Sequence, residues 1–303
     1  MSSATLPKEV FVKKDLKSRL MLIASMAIFG TLAPFVRRIP VSSGALALCR
    51  AAMASVLIAV ILLITKQKIP VSRMGKQLPL LIASGAAMGV NWILLFEAYK
   101  RTTVSVATLS YYFAPVLVTV LCPLLFKEKL TAKQIVCFIA STAGLVLITG
   151  IGTGGGDHLG GILFALGAAV LYASVVLINK FIRDVDGIHR TLLQFLAAAV
   201  VLLPYVLLTG DVTTGPMDAT GWLCLLAVGM IHTGLAYCFY FSALKDLSGQ
   251  EASILSYIDP LVAVLISVTV LGEPMTPWQI LGGLLILGFT LWNELPSRVR
   301  RPK

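Results

Sequence analysis

Lys100–Glu128 reads KRTTVSVATLSYYFAPVLVTVLCPLLFKE, and Lys245–Glu273 reads KDLSGQEASILSYIDPLVAVLISVTVLGE. One offset of 145 residues aligns the two stretches without a gap. It superposes Phe96 on Phe241, Ala107 on Ala252, Tyr112 on Tyr257, Pro115 on Pro260 and Glu128 on Glu273. Beyond the stretches it still matches Thr131 with Thr276 and Gln134 with Gln279. Duplication of half a membrane protein is how many transporters are built around a central site. This pair of stretches therefore sets the expected fold and the expected class of function together.

Composition agrees. The chain has 303 residues, 57% of them apolar and only 13% charged, with a mean hydropathy of +0.90. A soluble domain carries about 25% charged residues, so the chain reads as a polytopic membrane protein. Its net charge of +11 does not point to nucleic acid, because the cations lie in short segments between apolar runs, as membrane insertion requires. Cys49, Cys122, Cys137, Cys224 and Cys238 all lie inside apolar runs, with no CxxC or Cys/His cluster. They read as small hydrophobes and not as disulfides or metal ligands. Lys8–Arg19 reads as a basic tail, and the apolar run behind it as a retained first span and not a cleaved signal.

Ten apolar runs approach the ~20 residues a spanning helix needs: residues 18–36, 43–65, 78–99, 104–126, 132–150, 160–180, 190–209, 221–243, 251–271 and 278–295. Placing the N-terminus in the cytoplasm leaves 20 Lys and Arg inside and four outside, with Arg50 inside a span. That split predicts both termini cytoplasmic in the cell (inner) membrane. The expected fold is all-α, with ten transmembrane helices as two inverted five-helix repeats, residues 1–150 and 151–303. Thr131-x-x-Gln134 and Thr276-x-x-Gln279 predict capping boxes, the second with Pro277 in the first helical position. In this reading Glu128 and Glu273 end loops and do not bind substrate.

Ten spans, inverted halves and a loop Glu followed by a capped helix resemble the EamA-type transporters of the drug/metabolite transporter superfamily. The resemblance rests on SYYFAPVLVTVLCPLLFKEKLTAKQ (110–134), SYIDPLVAVLISVTVLGEPMTPWQ (256–279), Phe29-Gly30 and Leu48-Cys49-Arg50. It implies a cavity lined by spans 1, 3, 4, 6, 8 and 9, with spans 5 and 10 at the periphery. Span 6 lacks the Trp often found at the matching place in such proteins and offers Tyr172 instead.

Several residues stand out as chemistry. Pro115 and Pro260 lie mid-span and free the carbonyls of Tyr111 and Ser256; each marks either a broken, hinge-like helix or a simple kink. Asp259 lies on the order of 12 Å into span 9, at 1.5 Å per residue. A carboxylate at that depth is a functional candidate, either as proton carrier or as ligand for an ammonium; the bland alternative is a fixed pair or a cap at the break. Its repeat partner is Ala114. Arg50 in span 2 suits a carboxylate or sulfonate, or a structural pair with Asp259. His232 in span 8 suits a proton relay or a hydrogen bond between helices. Glu97 reads as a partner of Arg101 one turn away.

Asn91, Trp92, Tyr99, Tyr111, Tyr112, Tyr172, Asn179, Tyr237, Tyr240 and Tyr257 give the cavity spans an aromatic and amide lining. Tyr205, Trp222, Trp278 and Trp292 read as interfacial belts. Other classes are disfavoured. Gly154-Gly155-Gly156-Asp157 imitates an intramembrane aspartyl-protease motif, but it falls in a loop. No phosphate-binding Gly-Lys-Ser/Thr ending and no ion-filter loop are present. The sequence therefore predicts a non-enzymatic secondary transporter, an exporter, working by alternating access without cofactor or metal. Its partners are a small molecule and the lipid bilayer, not nucleic acid, with a homo-oligomer as an open option. Amino acids or their derivatives are the favoured cargo. Export of cationic or amphipathic drugs comes next, then nucleotide-sugar transport.

Overall fold

The computed structural model describes residues 8–67, 75–126, 130–149, 156–182, 185, 187–210, 212 and 215–295. Among these every long element is helical. Among the described residues nine spans are long and apolar enough to cross a membrane: Leu16–Arg38, Ser43–Ile64, Leu78–Arg101, Val104–Leu121, Ala132–Thr149, Asp157–Phe181, Gly187–Thr209, Ala219–Ala243 and Glu251–Thr269. The tenth, Pro277–Glu294, has 18 residues; polar residues at both its ends dilute it. It lies along Ala132–Thr149 for its full length.

The helix starts follow their sequence signals. Thr276 and Gln279 form a complete capping box with Pro277 at its head. Thr131 and Gln134 exchange the same bonds, Thr131 N–H to Gln134 Oε1 at 2.8 Å and Gln134 N–H to Thr131 Oγ1 at 3.2 Å. Thr103 caps Val106 and Ser248 caps Glu251, a pair also related by the offset of 145. Glu128 lies outside the described residues.

Three features differ from expectation. The first helix starts at Lys8, within the supposed tail, and runs to Gly30. Span 1 is interrupted at Thr31, whose hydroxyl donates to the Ile28 carbonyl at 2.8 Å, and resumes as Leu32–Arg38. Span 8 is α-helical over Ala219–Leu226, π-helical over Ala227–Leu235 and α-helical again over Ala236–Ala243.

Packing follows the rule for helices in lipid, where small residues let backbones meet and polar side chains tie helices together. Spans 5 and 10 cross at Gly144 and Gly282; a methyl on Gly144 would stand 2.6 Å from the Gly282 carbonyl oxygen. These two spans pack chiefly on each other. Gln194 donates to Asn179 Oδ1 at 2.7 Å and to the Ser84 hydroxyl, tying spans 3, 6 and 7. Gln194 stands roughly where Arg50 does in the other half, and here it is structural.

Spans 4 and 9 are each two helices in line. Span 4 comprises Val104–Tyr111 and Ala114–Phe126; span 9 comprises Gly249–Leu255 and Ile258–Thr269. Val104–Tyr111 packs against Ile258–Thr269, whereas among the described residues Ala114–Phe126 and Gly249–Leu255 share no comparable contact. The two spans thus meet toward the Glu273 end of the molecule and diverge toward the Glu251 end.

Candidate functional site

The two breaks build the centre. In each half the second helix begins just before its proline, Ala114-Pro115 and Ile258-Asp259-Pro260. A proline costs nothing in a first turn, where its missing N–H has no partner anyway. Both prolines therefore sit at true breaks and not at bends in a continuous helix. The carbonyl of Ser256 accepts the Asp259 N–H at 3.3 Å, and Tyr112 Oη approaches it at 3.5 Å.

Asp259 occupies the first turn of Ile258–Thr269, where the positive end of the helix dipole favours an anion. Tyr112, from the break in the other half, donates to Asp259 Oδ2 at 2.7 Å. The rings of Tyr112 and Tyr257 lie 6.5 Å apart, so the repeat-related tyrosines meet across the junction of the halves. Gly30 of span 1 passes directly behind: a methyl there would stand 2.6 Å from the Asp259 carbonyl oxygen.

Arg50 is buried, with 4% of its surface exposed. Its Nε donates to Thr233 Oγ1 at 2.7 Å, and its guanidinium lies 4.4 Å over Trp92 and 5.7 Å from Phe96. Thr233 donates in turn to the Val228 carbonyl at 2.7 Å. That acceptor is five residues back, the spacing of a π-helix, so the irregular stretch of span 8 aims Thr233 at Arg50. The two Nη groups have no hydrogen-bond or ion-pair partner among the described residues.

A direct Arg50–Asp259 pair, one of the structural roles open to these residues in sequence, is not formed. Thr233 and Trp92 hold the cation on the wall of spans 2, 3 and 8, while Tyr112 holds the anion on the wall of spans 4 and 9. The two still stand close enough for their charges to interact.

Aromatic rings fill the space between. Tyr111 lies 5.6 Å from Tyr172 and 6.2 Å from Tyr112. Tyr237 contacts Phe29 at 5.1 Å and Phe195 at 5.2 Å, and Tyr240 at 6.4 Å. Tyr172 is near Tyr237, Tyr240 and Asp259, yet 41% of it is exposed. Its exposed surface lies beside rings of both halves, where the resemblance would put the central cavity.

Other candidates lie further from this centre or are engaged elsewhere. Asn91 Nδ2 donates to the Ala168 carbonyl at 2.6 Å and ties span 3 to span 6. His232 is buried, with Nδ1 3.1 Å from the Ala227 carbonyl oxygen, Nε2 3.1 Å from Thr31 Oγ1, and Phe35 stacked at 4.6 Å. Its Nε2 thus joins span 8 to span 1, while Nδ1 stays on a carbonyl of its own helix. Glu97 pairs with Arg101 at 3.4 Å, as its spacing predicts, and lies 3.8 Å from Lys100. Sequence reasoning missed Thr233 and Phe195. Thr233 is 183 residues from Arg50, and nothing in its neighbourhood announces a π-helix. Phe195 looks like ordinary apolar filling.

Residues 16–150 and 159–293 each match the family described as EamA-like transporter family. The chain is 29% identical over 272 residues to the uncharacterized transporter YxxF of Bacillus subtilis, covering 88% of this chain and 85% of that protein. It is 30% identical over 200 residues to an uncharacterized transporter of Archaeoglobus fulgidus, covering 65% and 70%. It is 28% identical over 225 residues to Protein PecM of Dickeya dadantii, covering 70% and 74%. A crystal structure 19% identical in sequence superposes with a TM-score of 0.62 over 90% of this chain and 95% of the other, a likeness of fold.

Proposed function

Because this chain belongs to the EamA-like transporter family and is a membrane transporter and not an enzyme, we propose that it is an alternating-access exporter of small zwitterionic metabolites, amino acids or their derivatives. In this reading it lies in the cell (inner) membrane with both termini cytoplasmic, as the cation split implies. Its halves are inverted repeats about the cavity. The divergence of spans 4 and 9 toward the Glu251 end then corresponds to an inward-facing state.

One observation carries the choice of cargo. Arg50 offers two unpaired Nη groups from one wall, and Asp259 offers its Oδ1 from the opposite wall, Tyr112 engaging only Oδ2. Opposite charges kept apart inside a low-dielectric site are complementary to a ligand that carries both. A carboxylate would lie bidentate on Arg50, an ammonium on Asp259, and an apolar side chain among Tyr111, Tyr172 and Tyr237.

A thermal-shift screen on purified protein tests this, since a ligand at 100 times its Kd stabilises the native state by about 2.7 kcal/mol. Amino-carboxylates should raise the melting temperature, and the matching amines or acids alone should not. The tyrosines around Asp259 favour a second reading, export of organic cations. Equal stabilisation by amines without a carboxylate, unaffected by Arg50→Gln, would establish that reading in place of the first.

A further inference from the structure

The Glu273 end of the cavity is closed by one connected set of bonds. Arg37, just beyond the break in span 1, donates Nε to the Tyr99 carbonyl at 2.8 Å and Nη2 to the Thr102 carbonyl at 2.7 Å. Its Nη1 pairs with Glu273 Oε1. Glu273 Oε2 accepts the Val104 N–H at 2.9 Å and the Ser267 hydroxyl. Ser267 Oγ accepts the Ser105 N–H at 3.1 Å. The first two amides of Val104–Tyr111 are thus capped by residues of span 9 and the loop behind it. Every donor group of Arg37 and both carboxylate oxygens of Glu273 are engaged. The side chain of Glu273 is 14% exposed and that of Arg37 29%, so water screens the pair only in part.

At the opposite end the described residues carry a different set of bonds. There Arg19 pairs with Glu251 at 2.6 Å, and the Ser18 hydroxyl donates to Asp246 Oδ2 at 3.0 Å. These bonds join spans 1, 8 and 9. Among the described residues, the Ala114–Phe126 half of span 4 and Gly249–Leu255 make no contact comparable to that at the latched end.

We infer that Arg37 and Glu273 form the gate latch of the transport cycle: one carboxylate and one guanidinium clamp the ends of spans 1, 3, 4 and 9 and hold this mouth of the cavity shut. Opening this mouth requires the clamp to release, which strips the cap from the helix at Val104 and leaves Glu273 without its cation. Sequence places Glu273 merely at the end of a loop; its position gives it a gating role without contact to cargo. The latch rests on the alternating-access reading for its place in a cycle, though not for its existence as a closure.

The test uses single cysteines at Val104, which is fully buried beside the latch, and at Tyr172, which is 41% exposed beside the central aromatic rings. The native five cysteines are replaced, the full chain is placed in lipid nanodiscs, and the probe is a charged maleimide that reaches both faces. Val104→Cys should react slowly and Tyr172→Cys quickly. Glu273→Gln keeps an acceptor for the Val104 amide but removes the charge, and should speed reaction at Val104→Cys at least tenfold. Arg37→Gln should do the same, and the double variant should exceed neither single one by much. Should one variant fail to fold, the other carries the experiment. Unchanged labelling at Val104→Cys in a folded variant, or fast labelling with the latch intact, would overturn the latch. A rise at Val104→Cys accompanied by a fall at Tyr172→Cys supports latch and alternation together. A rise without that fall supports the latch as a closure and sinks alternating access instead.

Discussion

At the residue scale, the arrangement turns on how Arg50 is held. A buried guanidinium with one hydrogen bond and an aromatic face beneath it is oriented but not neutralised. Stacking on Trp can contribute about 2 kcal/mol when desolvated, and a hydrogen bond to a charged group about 1.5–3 kcal/mol. Thr233→Val should therefore weaken binding of the zwitterion found by the screen roughly tenfold or more, given that 1.4 kcal/mol is a factor of ten. Thr233→Ser, which keeps the hydroxyl, should bind nearly normally by isothermal titration. Equal loss in both variants would mean that Thr233 matters for packing alone. Asp259 gives a sharper division. As the ligand for the ammonium, its change to Asn should abolish both binding and exchange of labelled substrate between liposomes and medium at equal pH. Retained exchange with lost pH-driven flux would make it a proton carrier instead.

At the element scale, the crossing of spans 5 and 10 is set by two glycines whose backbones touch. Gly282→Ala would drive a methyl against the Gly144 carbonyl and to 2.8 Å from Ile148 Cγ1. Overpacking of this kind costs typically 1–3 kcal/mol, so the unfolding midpoint in mild detergent should fall while the affinity of the distant site stays unchanged. A midpoint equal to that of the parent would show the two helices free to separate there. Elements of this kind were largely legible in the sequence: the apolar runs, the capping boxes and the paired prolines are local signals with local causes. The interruption at Thr31 and the π-helix at Ala227–Leu235 were not, because both depend on partners in other spans, His232 for the one and Arg50 for the other. The separate anchoring of Arg50 and Asp259 was hidden for the same reason. Depth in a span can be counted along a sequence, whereas the choice between facing and bonding depends on which third residue lies nearer.

At the scale of the whole molecule, the end-to-end asymmetry joins two independent facts. Spans 4 and 9 diverge toward the Glu251 end, and the chain places 20 of its cations on the side predicted to be cytoplasmic. Reporter fusions should report both termini and the 66–77 loop in the cytoplasm, and the 151–159 and 210–219 loops outside. An external C-terminus would reverse the assignment of the open mouth and with it the proposed inward-facing state.

The π-helical stretch of span 8 has one more consequence, for length variation between related chains. Such a stretch carries one residue more per turn than its α-helical flanks. Removing one residue from Ala227–Leu235 would let the helix close into regular α form at little cost in backbone bonding. It would leave the flanking α-helices in nearly their present register, because the lost residue is the one the wider coil absorbs, and would turn the side chains within the stretch instead. Thr233 could then no longer face Arg50 while Tyr237 keeps its place against Phe29 and Phe195. Relatives that lack this single residue should therefore lack the Arg50–Thr233 contact as well, and a one-residue deletion here should leave a chain that inserts and folds but no longer binds a carboxylate.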